Sequence, residues 1–223
     1  MNQDELKRSA AAKALEIIEP MLQRGAVIGI GTGSTANFFI DLLEAHKHKF
    51  DACVASSQAS ADRLSRLGIE VLDTNSVDAI AVYVDGADEI NPAGQMIKGG
   101  GAALTREKIV AASSDAFVCI VDGSKEVEVL GAYPLPVEVI PMARGLVARN
   151  IAAIGGEPQW RQGVVTDNGN HIIDVHGLRI EDPPQLEQYF NNLVGVVCNG
   201  IFASEAANTV ISASEVGIDV RSP

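Results

Sequence analysis

The chain has 223 residues, 47% of them apolar and 4% aromatic, enough for one large domain or two modest ones around a real core. Its formal net charge of −12 leaves no basic stripe to neutralise a nucleic acid, although a few local donors would suffice for a small phosphate. No run approaches the ~18 consecutive apolar residues of a membrane span, and the three cysteines, Cys53, Cys119 and Cys198, lie far apart in β-like runs, as thiols buried in a reducing compartment do. The cytoplasm is the expected location.

Taken in order, MNQDELKRSAAAKALEII predicts an amphipathic helix with acids ahead of bases, not a signal peptide. Residues 26–30 (AVIGI) form a short apolar strand, GTGST a turn, and ANFFIDLLEAHKH a helix. Residues 51–56 are the next strand, SQASADRLSRLG the next helix with Gly68 at its C′ position, and IEVLD a short strand. Residues 79–85 (AIAVYVD) are apolar on both alternating sets, as in a strand buried on both faces. A helix over 103–113 follows the glycine triplet, then the strand AFVCIVD. Strands alternating with helices imply an α/β fold with a Rossmann-like, doubly wound, mostly parallel sheet.

The character changes near Pro134. PLPVEVIP reads as a crossing plus a strand, MARGLVARNIAAIG as a helix ended by Gly155 and Gly156, and EPQWRQGVVT and HIIDVH as strands joined by the hairpin signal Asp167-Asn168-Gly169-Asn170. PPQLEQYFNNL is a helix and VGVVCNGIFA a last strand. The order β-α-β-β-α-β matches a ferredoxin-like α+β arrangement. The expected division is a first domain over 1–130 and 206–223, and a small domain over 131–205.

Metal ligation finds little to build on. His46 and His48 are two apart on a helix, His171 and His176 five apart on a strand, and no CxxC or HExxH spacing occurs. Three other clusters carry chemistry. In the first, Gly31-Thr32-Gly33-Ser34-Thr35-Ala36 satisfies a relaxed GxGxxA between strand and helix, but the second strand ends in Ala55-Ser56-Ser57 without the acid a dinucleotide ribose requires. An anion cradle of helix N–H groups and hydroxyls remains, beside the plainer reading of a glycine-rich turn. In the second, Asp85, Gly86, Ala87 and Asp88 sit at the carboxyl end of the most apolar strand, either as an Asx turn or as a functional carboxylate pair. In the third, Lys98 precedes Gly99, Gly100 and Gly101, a triplet able to present backbone N–H groups, and Glu107 follows in the next helix. Glu107 on a solvated helix face is the ordinary alternative.

These clusters, with PLPVEVIPMA and RQGVVTDNGNHIIDVHG, closely resemble ribose-5-phosphate isomerases of the A type, from the N-terminal helix almost through the small domain. The tail from Glu205 carries no diagnostic motif, and the resemblance implies that it returns to the first domain. It also implies interconversion of ribose 5-phosphate and ribulose 5-phosphate in the non-oxidative pentose phosphate pathway, without metal or organic cofactor, by a homodimer or larger homo-oligomer. Glu107 then matches the general base moving a proton between C1 and C2. Thr32 to Thr35, Asp85 to Asp88, Lys98 to Gly101 and Lys125 match substrate-binding positions, and Lys7 a phosphate-side lysine. The chemistry suits these types: a carboxylate base, donors for enediolate charge from Lys98 and the glycines, and Asp85 for a hydroxyl proton during ring opening. Two competing readings are a sugar-phosphate sensor, which needs no base, and a nucleotide-dependent oxidoreductase, which the missing acid disfavours.

Overall fold

The side chain of Asn2 accepts from the Glu5 N–H at 2.9 Å while the Glu5 carboxylate accepts from the Asn2 N–H at 2.9 Å, so two donors that a helix start leaves unpaired are satisfied. The helix so capped, α1 (Gln3–Ile18), buries Ala10, Ala11, Ala14 and Ile18, a stripe small enough for close approach. There follow β1 (Val27–Ile30), α2 (Ser34–Leu43), β2 (Ala52–Ala55), α3 (Gln58–Arg66) and β3 (Val82–Asp85). Two short strands, β4 (Glu89–Ile90) and β5 (Met96–Ile97), precede α4 (Leu104–Ala112) and β6 (Phe117–Asp122). The chain continues through β7 (Leu135–Val139), α5 (Arg144–Ala153), β8 (Glu157–Trp160), β9 (His171–His176), α6 (Pro183–Asn191), β10 (Val196–Asn199) and β11 (Ile201–Phe202). It ends in the hairpin of β12 (Thr209–Ser214) and β13 (Gly217–Arg221).

The computed structural model describes residues 2–223. By contacts it divides into two units, residues 2–86, Arg106–Lys125 and Ala207–Pro223 in the first, and Ala87–Thr105 with Glu126–Ala206 in the second.

In the first unit one sheet runs in the order β13-β12-β6-β3-β1-β2, parallel except for the terminal hairpin. Ile28, Ile30, Val82 and Val84 share a core with Phe39, Ile40 and the alanines of α1. Gly29 and Tyr83 alternate to the opposite face, where a Cβ on Gly29 would lie 2.9 Å from Val110 of α4. Helices thus cover both faces, and the sheet is doubly wound. Because β1 lies between β2 and β3, the connections leaving β1 and β3 run in opposite directions. That is the switch point outside which open α/β sheets bind ligands. The strand expected in IEVLD reduces to one bridged residue, Val71 beside Cys53.

In the second unit β10-β7-β9-β8 form an antiparallel sheet backed by α5 and α6, with Val137, Val139, Val147, Ile151, Ile173 and Phe190 in its core. Chain order and strand order together give the ferredoxin-like arrangement. A second sheet, β11-β5-β4, takes in the segment after Gly86. Residues Ala87–Thr105 therefore group with this unit, whereas the boundary expected from the sequence lay near Gly131; β5 pairs with β11, and the Val127 N–H donates to the Ile90 carbonyl at 2.9 Å. The single strand expected over 194–203 splits at Gly200. There the chain leaves one sheet for the other, donating to the Pro136 carbonyl at 2.8 Å and accepting from the Lys98 N–H at 2.9 Å. No described helix is long and apolar enough to cross a membrane. All three cysteines are buried, and burial pushes the Cys53 thiol well above its ordinary range.

Candidate active site

β1 ends at Ile30, and Gly31 to Thr35 carry the chain into α2, whose N-cap is Gly33. Asp85, the last residue of β3 and fully buried, folds back over this turn. Its Oδ1 accepts from the Thr32 N–H at 3.0 Å and the Gly86 N–H at 2.7 Å, and its Oδ2 from the Tyr83 hydroxyl. Burial, then the charges of Asp85 and Glu107, push the Tyr83 phenol well above its ordinary range, so it stays a donor. Thr32 Oγ1 lies 2.8 Å from Ser56 Oγ, and the Ser60 hydroxyl donates to the Gly31 carbonyl at 2.7 Å. The turn is thereby fixed from several sides, with Ser34 and Thr35 in the first turn of α2, where a helix leaves backbone N–H groups without intrahelical partners.

Gly31 is glycine because Asp85 fills the space beside it: a Cβ there would lie 1.9 Å from the Asp85 carboxyl carbon. Gly31→Ala is expected to cost about 1–3 kcal/mol or more, as overpacking does, and to lower Tm by ~2–4 °C per kcal/mol. An unchanged melting curve would show that Asp85 does not hold this position.

The carboxylates and the glycines beyond Gly86 are organised by a hairpin. Asn91 and Gly94 make the turn, with Asn91 Oδ1 accepting from the Ala93 and Gln95 N–H groups at 3.1 and 3.0 Å. β4 and β5 pair Glu89 with Ile97, so Asp88 and Lys98 leave the hairpin side by side, and the Asp88 N–H donates to the Ile97 carbonyl at 2.8 Å. Asp88 Oδ2 in turn accepts from the Gly100 N–H at 2.7 Å. A Cβ on Gly100 would sit 2.6 Å from both Asp88 Oδ1 and the Tyr133 hydroxyl, so no side chain fits there. Lys98 is 2% exposed, and its ammonium stands 5.5 Å from the centre of the Phe202 ring. Glu89, buried behind them, accepts from the Gly131 N–H at 2.7 Å and from the Tyr133 N–H.

Glu107 lies in the first turn of α4. Leu104, Glu107, Val110 and Ala111 are buried, whereas Ile109 is half exposed. The spacing puts Glu107, 3% exposed, on the inward stripe of the helix and not on a solvated face. Its charge acts on the Tyr83 phenol, which also donates to Asp85. Lys125 ends the 3-10 turn that follows β6, and Lys7 lies one turn beyond Gln3, whose amide donates to Asp122 Oδ2 at 3.5 Å. Since β1, β3 and β6 are parallel, this is the sheet edge that also carries Asp85 and the Gly31–Thr35 turn. Among the described residues, no group of three or more His, Cys, Asp or Glu gathers as a metal site.

The family model of ribose 5-phosphate isomerase A (phosphoriboisomerase A) matches residues 52–217. The crystal structure of ribose 5 phosphate isomerase A from Neisseria gonorrhoeae is 49% identical, with a TM-score of 0.94 over 100% of this chain and 98% of its own. The chain belongs to the ribose 5-phosphate isomerase A family. Two further relatives agree. A D-ribose-5-phosphate isomerase in complex with phospho-erythronic acid is 37% identical (TM-score 0.94, 100% of both chains), and the Methanocaldococcus jannaschii ribose 5-phosphate isomerase A is 36% identical (TM-score 0.91, 98% of this chain and 99% of that one). Ribose 5-phosphate isomerases A are aldose–ketose isomerases, and membership makes this chain one that interconverts ribose 5-phosphate and ribulose 5-phosphate.

Several residues that shape these clusters are absent from the sequence reading. Ser56 had one faint signal, a hydroxyl in place of an acid at the end of β2, and Ser60, inside α3, had none. Tyr83 was hidden inside an apolar strand. Glu138, fully buried, accepts from Thr105, from Thr166 at 2.8 Å, from Asn168 at 3.2 Å and from Asn170 at 2.9 Å, which is how the Asp167–Asn170 turn is tied down. Arg161 and Asp174 carried no signal beyond opposite charge on two expected hairpin strands.

Proposed function

We propose that isomerisation runs through an enediolate with Glu107 as general base, Lys98 and the Gly99–Gly101 loop as charge-stabilising donors, and the Gly31–Thr35 cradle with Lys7 and Lys125 for the phosphate. The observation that carries this reading is the burial of Glu107 on the inward stripe of α4. A carboxylate withdrawn from water is costly unless it has work to do there.

In the open-chain aldose, Glu107 takes the proton from C2 and the electron pair moves through the new C1=C2 bond onto O1. Lys98 and a glycine N–H stabilise that oxyanion. A hydroxyl proton passes from O2 to O1, and Glu107 returns its proton to C1, giving the ketose. Ring opening must come first, and Asp85, at the carboxyl end of β3, is the carboxylate assigned to its hydroxyl proton; Gly86, Ala87 and Asp88 line the same stretch. Because Asp88 holds the Gly100 N–H, the donors the loop offers an oxyanion are those of Gly99 and Gly101. Phosphate binding away from the reacting carbons supplies orientation. The relative that binds phospho-erythronic acid supports this ligand class, since a planar anionic carboxylate next to a carbinol carbon imitates an enediolate. On family grounds the enzyme is a cytoplasmic homo-oligomer of the non-oxidative pentose phosphate pathway that uses no cofactor.

The test is turnover of ribose 5-phosphate in D2O with chelator present. The expected product is ribulose 5-phosphate carrying deuterium at C1, formed at a rate the chelator does not change. Complete retention of the C2 hydrogen, with turnover lost in chelator, would replace this route by a metal-assisted hydride shift. Sedimentation of the same sample tests the homo-oligomer.

A further inference from the structure

A run of three glycines has the greatest backbone freedom a chain can have, so N–H groups aimed at a ligand need something else to hold them. In the second unit the Gly99 carbonyl accepts from the Ala102 N–H at 3.0 Å, and a further hold comes from Arg161, just beyond β8. Its Nη1 donates to the carbonyls of both Gly99 and Gly100, each at 3.1 Å. Its other nitrogens clamp the Asp174 carboxylate, Nε to Oδ2 at 2.8 Å and Nη2 to Oδ1. Both side chains of the pair are only 18% exposed, so the fork is well shielded from water.

The consequence follows from peptide planarity. In a trans peptide the carbonyl and the next residue's N–H point to opposite sides, and no cis bond occurs among the described residues. Anchoring the Gly99 carbonyl sends the Gly100 N–H the other way, where it donates to Asp88 Oδ2 at 2.7 Å. Anchoring the Gly100 carbonyl likewise directs the Gly101 N–H away from the guanidinium. Ala102 shows independently that the loop is over-determined: it has φ 64°, a conformation an alanine keeps only when its surroundings impose it.

We propose that Arg161, braced by Asp174, is a positioning residue of the isomerase: it sets the Gly99–Gly100 and Gly100–Gly101 peptide planes, and with them the direction of the Gly101 N–H offered to the enediolate. This rests on the proposed role of the glycine loop. In the test, Arg161→Met, Arg161→Lys and Asp174→Asn are compared with wild type for kcat, KM, Tm and the amide NMR resonances of Gly99, Gly100 and Gly101. Arg161→Met is expected to lower kcat roughly 10- to 100-fold, the scale of a small misplacement, with KM changed less than about threefold and the glycine amides shifted. Arg161→Lys regains part of kcat, because an ammonium still meets one carbonyl, and Asp174→Asn moves both readouts less in the same direction. Wild-type kcat in Arg161→Met, or a lost kcat with unmoved glycine amides, overturns the proposal. Should Arg161→Met fail to fold, the other two variants decide by the same criteria. Lys98→Ala separates the levels: if it leaves kcat and KM unchanged, the reading of the loop fails. If it costs activity and the Arg161 variants do not, only the brace fails.

Discussion

Glu107→Gln is expected to lower kcat for ribose 5-phosphate by roughly 10²–10⁴, the usual contribution of a positioned general base. Glutamine matches glutamate in shape and in hydrogen-bonding reach, but its amide cannot take a carbon-bound proton. The fold should be indifferent to the change. Glu107 is 3% exposed on the inward stripe of α4, and a buried neutral amide is easier to accommodate than a buried carboxylate. The melting temperature should therefore stay near that of wild type, and so should the affinity for phospho-erythronic acid. Burial and the Asp85 charge, the two larger causes that hold the Tyr83 phenol above its ordinary range, remain in place. The rate of deuterium incorporation at C1 should fall in parallel with turnover. A variant with wild-type kcat would remove Glu107 from the role of base. A lost kcat with a collapsed melting curve would instead make Glu107 a structural residue.

The parts of the fold legible in the sequence were those with long-range periodicity. α1 announced itself through its amphipathic pattern with acids ahead of bases, β3 through an unbroken apolar run ending in Asp85, and the second unit through the alternation of strands and helices around Asp167–Asn170. What escaped were the short elements and the distant partners. β4 and β5 have two residues each, too few for any period to register, yet their pairing is what sets Asp88 beside Lys98. Gly200 gave no hint that one apparent strand serves two sheets, because the reason is the close approach of another backbone: a Cβ there would meet the Lys98 carbonyl at 2.3 Å. Arg161 is 61 residues from Gly100, and hydrogen bonds to carbonyls leave no side-chain type at the acceptor to be recognised. The motifs named the groups able to do chemistry, and geometry supplied the residues that hold them still.

Lys98→Ala is expected to cost about 10²–10³ in kcat, the loss seen when one oxyanion donor is removed. The lysine follows β5, its own N–H is fixed to the Gly200 carbonyl at 2.9 Å, and its ammonium lies over Phe202. At 2% exposure a cation interacts with developing charge far more strongly than it would in water, so its worth appears as the enediolate forms and not when the neutral aldehyde binds. KM should move little. Alanine also removes a long aliphatic stem, and Lys98→Met, which keeps much of that volume without the charge, separates the two effects. If charge is what matters, methionine should be as poor as alanine in kcat while recovering melting temperature. Recovery of kcat in the methionine variant would make Lys98 a packing residue, and a rise in KM alone would make it a ground-state binder. Combining Lys98→Met with Glu107→Gln gives a sharper reading. If the lysine acts only on the charge that Glu107 creates by removing the C2 proton, the double variant should be scarcely slower than Glu107→Gln alone. Two fully multiplicative losses would mean that the two side chains serve separate steps.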